Sequence, residues 1–395
     1  MDRTNHHLFQ PLLYQVATAG LSAPEIAQPI RSILFDKPRV RVLMDAVVNF
    51  DLAAHEVILE KQRLRYDYLV LALGGAIGYF GHPEWAEFAP GLKSLEDALR
   101  IRGSILRSFE RAETEPDPAE QRRLMTIVVV GGGPTGVELA GAFAELARHV
   151  LKADFRRIDP SQARVILIEA SPVVLSHLPP DLSASAMEQL QALGVEVRTS
   201  IKVKAISLGR VELDSGGVIE AENVIWAAGV SASPLTKKLG VDLDRAGRVK
   251  VNPDCSLPGH VEVFAIGDMA LLFDTNGKPV PGVSPAAMQM AAHVAEVIED
   301  ELTSPGLAAR PAFKYWDKGT MATIGRSAAV AAVGPFHLHG FIAWVAWLFV
   351  HLLFLIGFRN KLAVLLQWTY SYFTYKRGAR IITGLEEPGP SQPSG

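Results

Sequence analysis

Residues 126–140, Thr-Ile-Val-Val-Val-Gly-Gly-Gly-Pro-Thr-Gly-Val-Glu-Leu-Ala, constrain this chain more than any other stretch. An apolar strand sequence enters a glycine turn that opens a helix, which is the local signature of a dinucleotide site. Gly131 permits the tight turn, Gly133 lets the backbone approach a pyrophosphate, and Gly136 allows close packing of helix on strand. Pro134 and Thr135 stand at the helix start, where unpaired N–H groups and the positive dipole end favour phosphate. An ordinary glycine turn would explain the glycines alone but not the strand before them and the helix after them. The unit predicts an α/β fold with Rossmann-like nucleotide binding.

With 395 residues, 49% of them apolar, the chain is long enough for two or three domains with large cores. Its formal net charge of −3 provides no basic field for nucleic acid, which is excluded as a partner. The single cysteine, Cys255, excludes an internal disulfide and any paired-thiol redox or zinc motif. No metal site is indicated, and Cys255 is expected to pack in the interior or a turn. The N-terminus lacks the charged-then-apolar build of a signal peptide.

Along the chain, Asn5 to Ser32 reads as irregular loop with short helices, and Val40 to Leu52, Val57 to Arg63 and Tyr68 to Gly75 as strands. Ser94-Leu95-Glu96-Asp97 starts an amphipathic helix that ends near Ala112, before a polar linker over residues 113–121. Beyond the glycine turn come a long helix through Ala147, a strand over Val165 to Glu169, a capped helix over Asp181 to Leu193 and a strand over Val195 to Thr199. A buried strand from Val224 closes on Gly229, and a helix runs from about Pro285 to Leu302. Segment boundaries fall at 1–95, 96–230, 231–310 and 311–395. Glu169, ending the strand after the glycine turn, is placed to accept from a ribose 2′-OH and so to favour NADH over its phosphorylated form. Its distance from the glycines exceeds the usual ~20 residues, which a helical insertion around Leu151 to Arg164 accounts for.

Residues 341–357 carry no formal charge and are apolar on all sides. They are a marginal membrane span, since ~20 residues are needed. A monotopic helix is preferred: Trp344 and Trp347 suit an interface, His351 is costly at a bilayer centre, and Trp368, Tyr370, Tyr372 and Tyr375 follow among Arg359, Lys361, Lys376, Arg377 and Arg380. A buried dimer interface would read similarly.

These motifs, with Asn5-His6-His7-Leu8-Phe9-Gln10-Pro11-Leu12-Leu13-Tyr14-Gln15, Val263-Phe264-Ala265-Ile266-Gly267-Asp268 and residues 313–326, resemble the type II NADH:quinone oxidoreductases over nearly the whole chain. The resemblance implies two Rossmann-like domains of a two-dinucleotide flavoprotein plus membrane-associated C-terminal helices. Residues 1–95 and 231–310 would bind FAD, 96–230 NADH, and 311–395 quinone and membrane. It implies hydride transfer from NADH to FAD, then reduction of a membrane quinone, ubiquinone or menaquinone, without proton pumping, at the cytoplasmic face of the cytoplasmic membrane. Gly74, Gly229, Gly267 and Asp268, at strand ends, and Asp2, matching the acidic residue at the FAD ribose, join the cofactor contacts. The catalytic set is Glu138, between the nicotinamide and quinone sites, Gln289, the glutamine kept from an Ala-Gln-x-Ala-x-Gln helix start, and Lys318 near Tyr315. An acid at Glu138, in the helix's first turn, would also be favoured by the dipole alone. The family begins with a strand and GxGxxG turn for FAD. Here Met1 to Asn5 stand where that unit ends, about 30 residues short, which either a late-placed start or a real truncation explains. A real truncation implies loss of most of the affinity for FAD. A soluble flavin reductase, or an NAD-binding membrane protein unable to hold FAD, are the competing readings.

Overall fold

The computed structural model describes residues 1–274, 277–304, 310–375 and 377–382, which form two compact units. The expected cation Lys376 lies outside the described residues. One unit comprises residues 1–5, 30–78 and 229–318, the other residues 6–29, 79–228 and 319–395.

In the first unit Leu69–Leu71 pairs in parallel with His260–Ala265, which pairs antiparallel with Ser256–Leu257. Val263, Phe264 and Ala265 are fully buried, and the helix Ser284–Thr303 contributes Met290, Val294 and Val297 to the same core. The strand expected to reach Gly75 stops at Leu71. Gly74 adopts φ +65°, which cannot continue a strand. A three-stranded antiparallel meander, Val47–Asp51, Glu56–Leu59 and Arg63–Arg65, replaces the two longer strands expected there.

The second unit is built on a four-stranded parallel sheet in the order Glu196–Arg198, Arg164–Ile168, Thr126–Val130, Asn223–Trp226. Every residue of Thr126–Val130 is buried, as a central parallel strand covered on both faces requires. The helix Pro134–Glu145 packs on it, and the backbone then tightens into a π turn, Leu146–Val150, and 3-10 turns at Leu151–Ala153 and Pro160–Gln162. These turns carry the extra residues between the glycines and Glu169. The helix expected from Asp181 is Pro180–Ala192 and has no side-chain cap; Asp181 instead meets His337 at 2.9 Å. Leu12, Val16 and Ala17 from the N-terminal segment bury into the core that holds Ile127, Val129 and Val137.

A three-stranded antiparallel sheet, Thr320–Gly325, Ala328–Val333 and Phe336–His339, closes over the helix Pro134–Glu145. Contact is so close that a side chain at Gly141 would stand 1.6 Å from the Ile324 carbonyl oxygen. Two helices follow, Gly340–Phe354 and Phe358–Thr374, separated at Gly357, whose φ of +85° turns the chain. The first has 15 residues, a rise of about 22 Å against ~30 Å of hydrocarbon. Among the described residues no helix is long and apolar enough to cross a membrane.

Candidate functional site

The nucleotide turn follows from backbone geometry. Gly131 has φ +112°, and a Cβ there would lie 2.7 Å from the Ala227 carbonyl carbon and the Ala228 nitrogen. Gly136 would place one 1.8 Å from the Gly131 oxygen, so helix and strand meet without any side chain between them. Gly133, the helix N-cap, has nothing within 4 Å of the same position, an open approach to the N-terminus. Pro134 and Thr135 are the first two helical residues, and Thr135 is exposed. Glu169 lies one residue beyond Arg164–Ile168. Its carboxylate accepts from the Gly132 N–H at 2.5 Å and the Ser171 N–H at 2.6 Å. This brings the acid to the rim of the glycine turn, where a ribose next to the pyrophosphate would rest.

Glu138 is not in the helix's first turn, which holds no acid. It is the fifth helical residue, so the dipole reading of this position lapses. It lines a half-open cavity of about 120 Å³. Burial pushes its carboxyl up to about 8, opposed by a hydrogen bond with the Thr323 main chain. Seven residues on, Glu145 lines the same cavity. It pairs with Arg377 at 3.1 Å and accepts from the Arg326 main-chain N–H.

In the other unit, the parallel strands Leu69–Leu71 and His260–Ala265 end side by side. Ligands of open α/β sheets bind outside such carboxyl ends. The Leu73 N–H reaches the Met269 sulfur at 3.3 Å, so Gly74 and Gly267 to Asp268 belong to one rim. A Cβ at Gly75 would meet Val230 at 2.7 Å and Asp268 Oδ2 at 3.1 Å, while Gly74 opens onto free space. Gly229, at φ +79°, accepts from the Gly78 N–H across the same rim. Glycine shoulders around an acid fit the polyol end of a flavin nucleotide, which must lie against bare backbone. Asp2 is exposed, bridges to Met44, and turns its carboxylate onto Thr4 at 2.7 and 2.8 Å.

Gln289 is committed locally. Its amide donates to the Trp316 carbonyl at 3.0 Å and accepts from the Trp316 N–H at 2.9 Å, which fixes the segment carrying Lys318. The Lys318 ammonium lies 5.4 Å from the Trp316 ring. Cys255 is buried with its thiol pushed up to about 12 by desolvation, so it packs as a neutral group. Among the described residues no cluster of metal-ligating side chains exists.

The aromatic belt expected at the C-terminus is divided. Trp347 is 1% exposed and lines the cavity, and Trp368 donates to Gln15 at 2.7 Å. Arg377 and Arg380 pair with Glu145 and Asp154. The two tryptophans face the core, because a helix apolar on every side turns its largest rings toward whatever covers them. Phe341, Ile342, Phe349, Phe358, Leu366 and Phe373 remain at least half exposed.

A parallel sheet with a glycine turn, an acid at the next strand's end, and a second glycine rim at paired strand ends define a pyridine nucleotide flavoprotein. Residues 1–291 match the family of pyridine nucleotide-disulphide oxidoreductases and residues 317–376 the NDH2 C-terminal domain. Two Mycobacterium tuberculosis proteins, type II NADH:quinone oxidoreductases Ndh and NdhA, are 47% and 44% identical to the chain. The matches cover 96% and 97% of it and 84% and 83% of those proteins. The chain belongs to the type II NADH:quinone oxidoreductase family. The solved structure of NDH2 from Plasmodium falciparum in complex with NADH shares the fold, with a TM-score of 0.87 at 19% identity over 97% of this chain and 94% of that one. The sulfide:quinone oxidoreductase of Aquifex aeolicus follows at 0.68 and 18% identity, covering 91% and 84%.

Tyr14 and Gln15 stood within a motif that carried the family resemblance, yet sequence reasoning gave neither a role. Glu145 was findable: at seven residues from Glu138 it shares a helix face. The pairings of Arg326 and Arg377 with Glu145 leave no trace in sequence, since that partner is 181 and 232 residues away.

Proposed function

We propose that this chain oxidises NADH and reduces a membrane quinone through bound FAD, without pumping protons. The family membership, with 47% identity to a type II NADH:quinone oxidoreductase, carries this reading. FAD, when bound, takes the hydride of NADH and passes the electron pair to the quinone. Gly131, Gly133, Pro134, Thr135 and Gly136 hold the NADH pyrophosphate, and Glu169 its ribose. Gly74, Gly229, Gly267, Asp268 and Asp2 hold FAD. Glu138 supplies a proton to the quinone, Lys318 orients its headgroup, and Gln289 positions Lys318 through Trp316. The test is anaerobic: NADH bleaches the flavin absorbance and a short-chain benzoquinone restores it. Flavin that stays oxidised under excess NADH overturns the reading.

Glu169→Ala is expected to raise the Kd for NADH and cut its preference over NADPH by roughly 10-fold, the worth of one good hydrogen bond to a charged group. Fluorescence titration with both nucleotides measures it.

The exposed apolar residues of the two C-terminal helices dock on a lipid surface at the cytoplasmic face, where a lipid-dissolved quinone reaches the protein. Phe349→Ser and Phe373→Ser should each weaken association with phospholipid vesicles about 10-fold, since each buried ring is worth ~1.5–3 kcal/mol. Unchanged co-sedimentation with loss of a dimer in ultracentrifugation would assign this face to a second copy of the chain instead.

A further inference from the structure

The cavity beside Glu138 contains a donor that the protein leaves without a partner. Trp347 is buried and lines the cavity, and among the described residues its indole Nε1 has no hydrogen-bond partner. An indole nitrogen can only donate, and buried donors are nearly always paired, so this one calls for an acceptor. At about 120 Å³ the space admits several waters.

A second observation fixes the direction of a hydrogen-bond chain into this space. Trp368 Nε1 donates to Gln15 Oε1 at 2.7 Å. Since Trp368 can only donate, the orientation of the Gln15 amide is settled, and its Nε2 donates to Tyr14 Oη at 2.9 Å. The Tyr14 oxygen is therefore an acceptor on that side, which leaves its own hydrogen to be donated elsewhere. Tyr14 is 6% exposed, and burial and then the nearby Glu138 both hold the phenol protonated.

The charged groups around this pair are matched. Arg377, from the C-terminal segment, binds Glu145 at 3.1 Å and the Thr18 carbonyl at 2.9 Å. Arg326, after the strand that carries Thr323, lies 4.9 Å from the centre of the Tyr372 ring and 3.5 Å from that of Tyr375, and donates to the Ser371 carbonyl. Tyr14 lines the cavity together with Glu138, and the charge of that carboxyl acts on its phenol. Tyr375, also lining the cavity, is 41% exposed and marks its opening to solvent.

Resting on the function proposed above, we propose that this cavity is a hydrated proton conduit that reloads Glu138, with Tyr14, aligned by Gln15 and Trp368, as its last hydroxyl. NADH and quinone yield NAD+ and quinol with uptake of one proton from solution. Glu138 gives its proton to a quinone oxygen. The Tyr14 O–H breaks as, through a bridging cavity water, the Glu138 O–H re-forms; a second water, donated to by Trp347, returns a proton to the phenolate, and solvent replaces that proton at Tyr375. Tyr14 is a positioning and relay residue that touches no substrate.

The test compares Tyr14→Phe, Glu138→Gln, their double variant and Trp347→Phe in the FAD-loaded protein, with NADH and a short-chain benzoquinone. Tyr14→Phe should slow quinone turnover on the order of 10-fold and change its solvent deuterium isotope effect, while anaerobic bleaching by NADH stays within about twofold. The double variant should be no slower than Glu138→Gln alone, because both act on one path. Trp347→Phe keeps a ring in the core and should slow turnover by about threefold without moving NADH binding. Infrared titration of the protonated Glu138 carboxyl band, assigned by its absence in Glu138→Gln, should show a displaced midpoint in Tyr14→Phe without any turnover. Wild-type turnover and isotope effect in Tyr14→Phe, or losses that multiply in the double variant, overturn the conduit. If NADH bleaches no flavin in the wild type, the function fails, and the infrared titration still decides whether Tyr14 serves Glu138: an unmoved midpoint overturns it.

Discussion

Gly136→Ala should abolish measurable NADH binding and lower NADH oxidation on the order of 100-fold, the usual cost of displacing a bound group by about 1 Å. The added Cβ would lie 1.8 Å from the Gly131 carbonyl oxygen. That oxygen belongs to main chain locked by the Gly131 N–H bond to the Ile168 carbonyl at 2.8 Å, so it cannot yield as a flexible side chain would. The helix must therefore lift off the strand, and its N-terminal N–H groups leave the position where phosphate is held. Thermal unfolding should fall with it, because Val137 and Leu139 on this helix are fully buried. Gly133→Ala supplies the contrast. Nothing lies within 4 Å of its Cβ, so Tm should hold while NADH affinity weakens through loss of close backbone approach. Isothermal titration with NADH and a melting curve of each variant separate the two effects. A Gly136→Ala protein that melts and binds like the wild type would refute the packing role.

That glycine turn was readable because everything it needs is local. Fifteen consecutive residues specify strand, turn and helix, and the constraint on each glycine acts on backbone within a few residues or on the adjacent strand. The pyridine nucleotide fold and the family follow from it and from motifs that are also contiguous. Glu138 is the opposite case. Its residue type was visible, but its environment comes from Thr323 and from Tyr14 near the chain start, brought together by tertiary packing. Even its helix position shifted, because the first turn begins at Pro134 and the dipole-favoured positions end before it. The C-terminal aromatics failed for a related reason. A segment apolar on all sides has no period to distinguish the face that meets Tyr14 from the face left exposed, so Trp347 and Phe349 read alike although one is 1% and the other 66% exposed. Nothing in sequence reveals that the Gln289 amide bonds the Trp316 main chain at both ends.

Glu138→Gln should cut quinone turnover about 100-fold, the lower range for removal of a general acid, while NADH-driven bleaching of the flavin is preserved. The sign of the pH dependence follows from the carboxyl lying up near 8 rather than at its ordinary 4.5. Below about pH 8 the wild-type group is protonated and can give its proton. Above it the carboxylate forms and turnover falls, whereas the glutamine variant should show no limb there. Stability carries the same signature independently of turnover. Between about pH 4.5 and 8 the folded protein holds a proton that the unfolded chain has released, so unfolding free energy declines as pH rises through that window. Glutamine binds no proton and has no such slope. The variant's Tm, measured relative to the wild type, should therefore climb from pH 5 to pH 9. Glutamine also keeps the size of the glutamate it replaces, so a lost activity cannot be charged to a hole in the helix packing. A variant whose quinone turnover retains the wild-type alkaline limb would assign that limb to another group, and a Tm difference constant from pH 5 to 9 would show that Glu138 ionises in the folded protein as it does in the unfolded one.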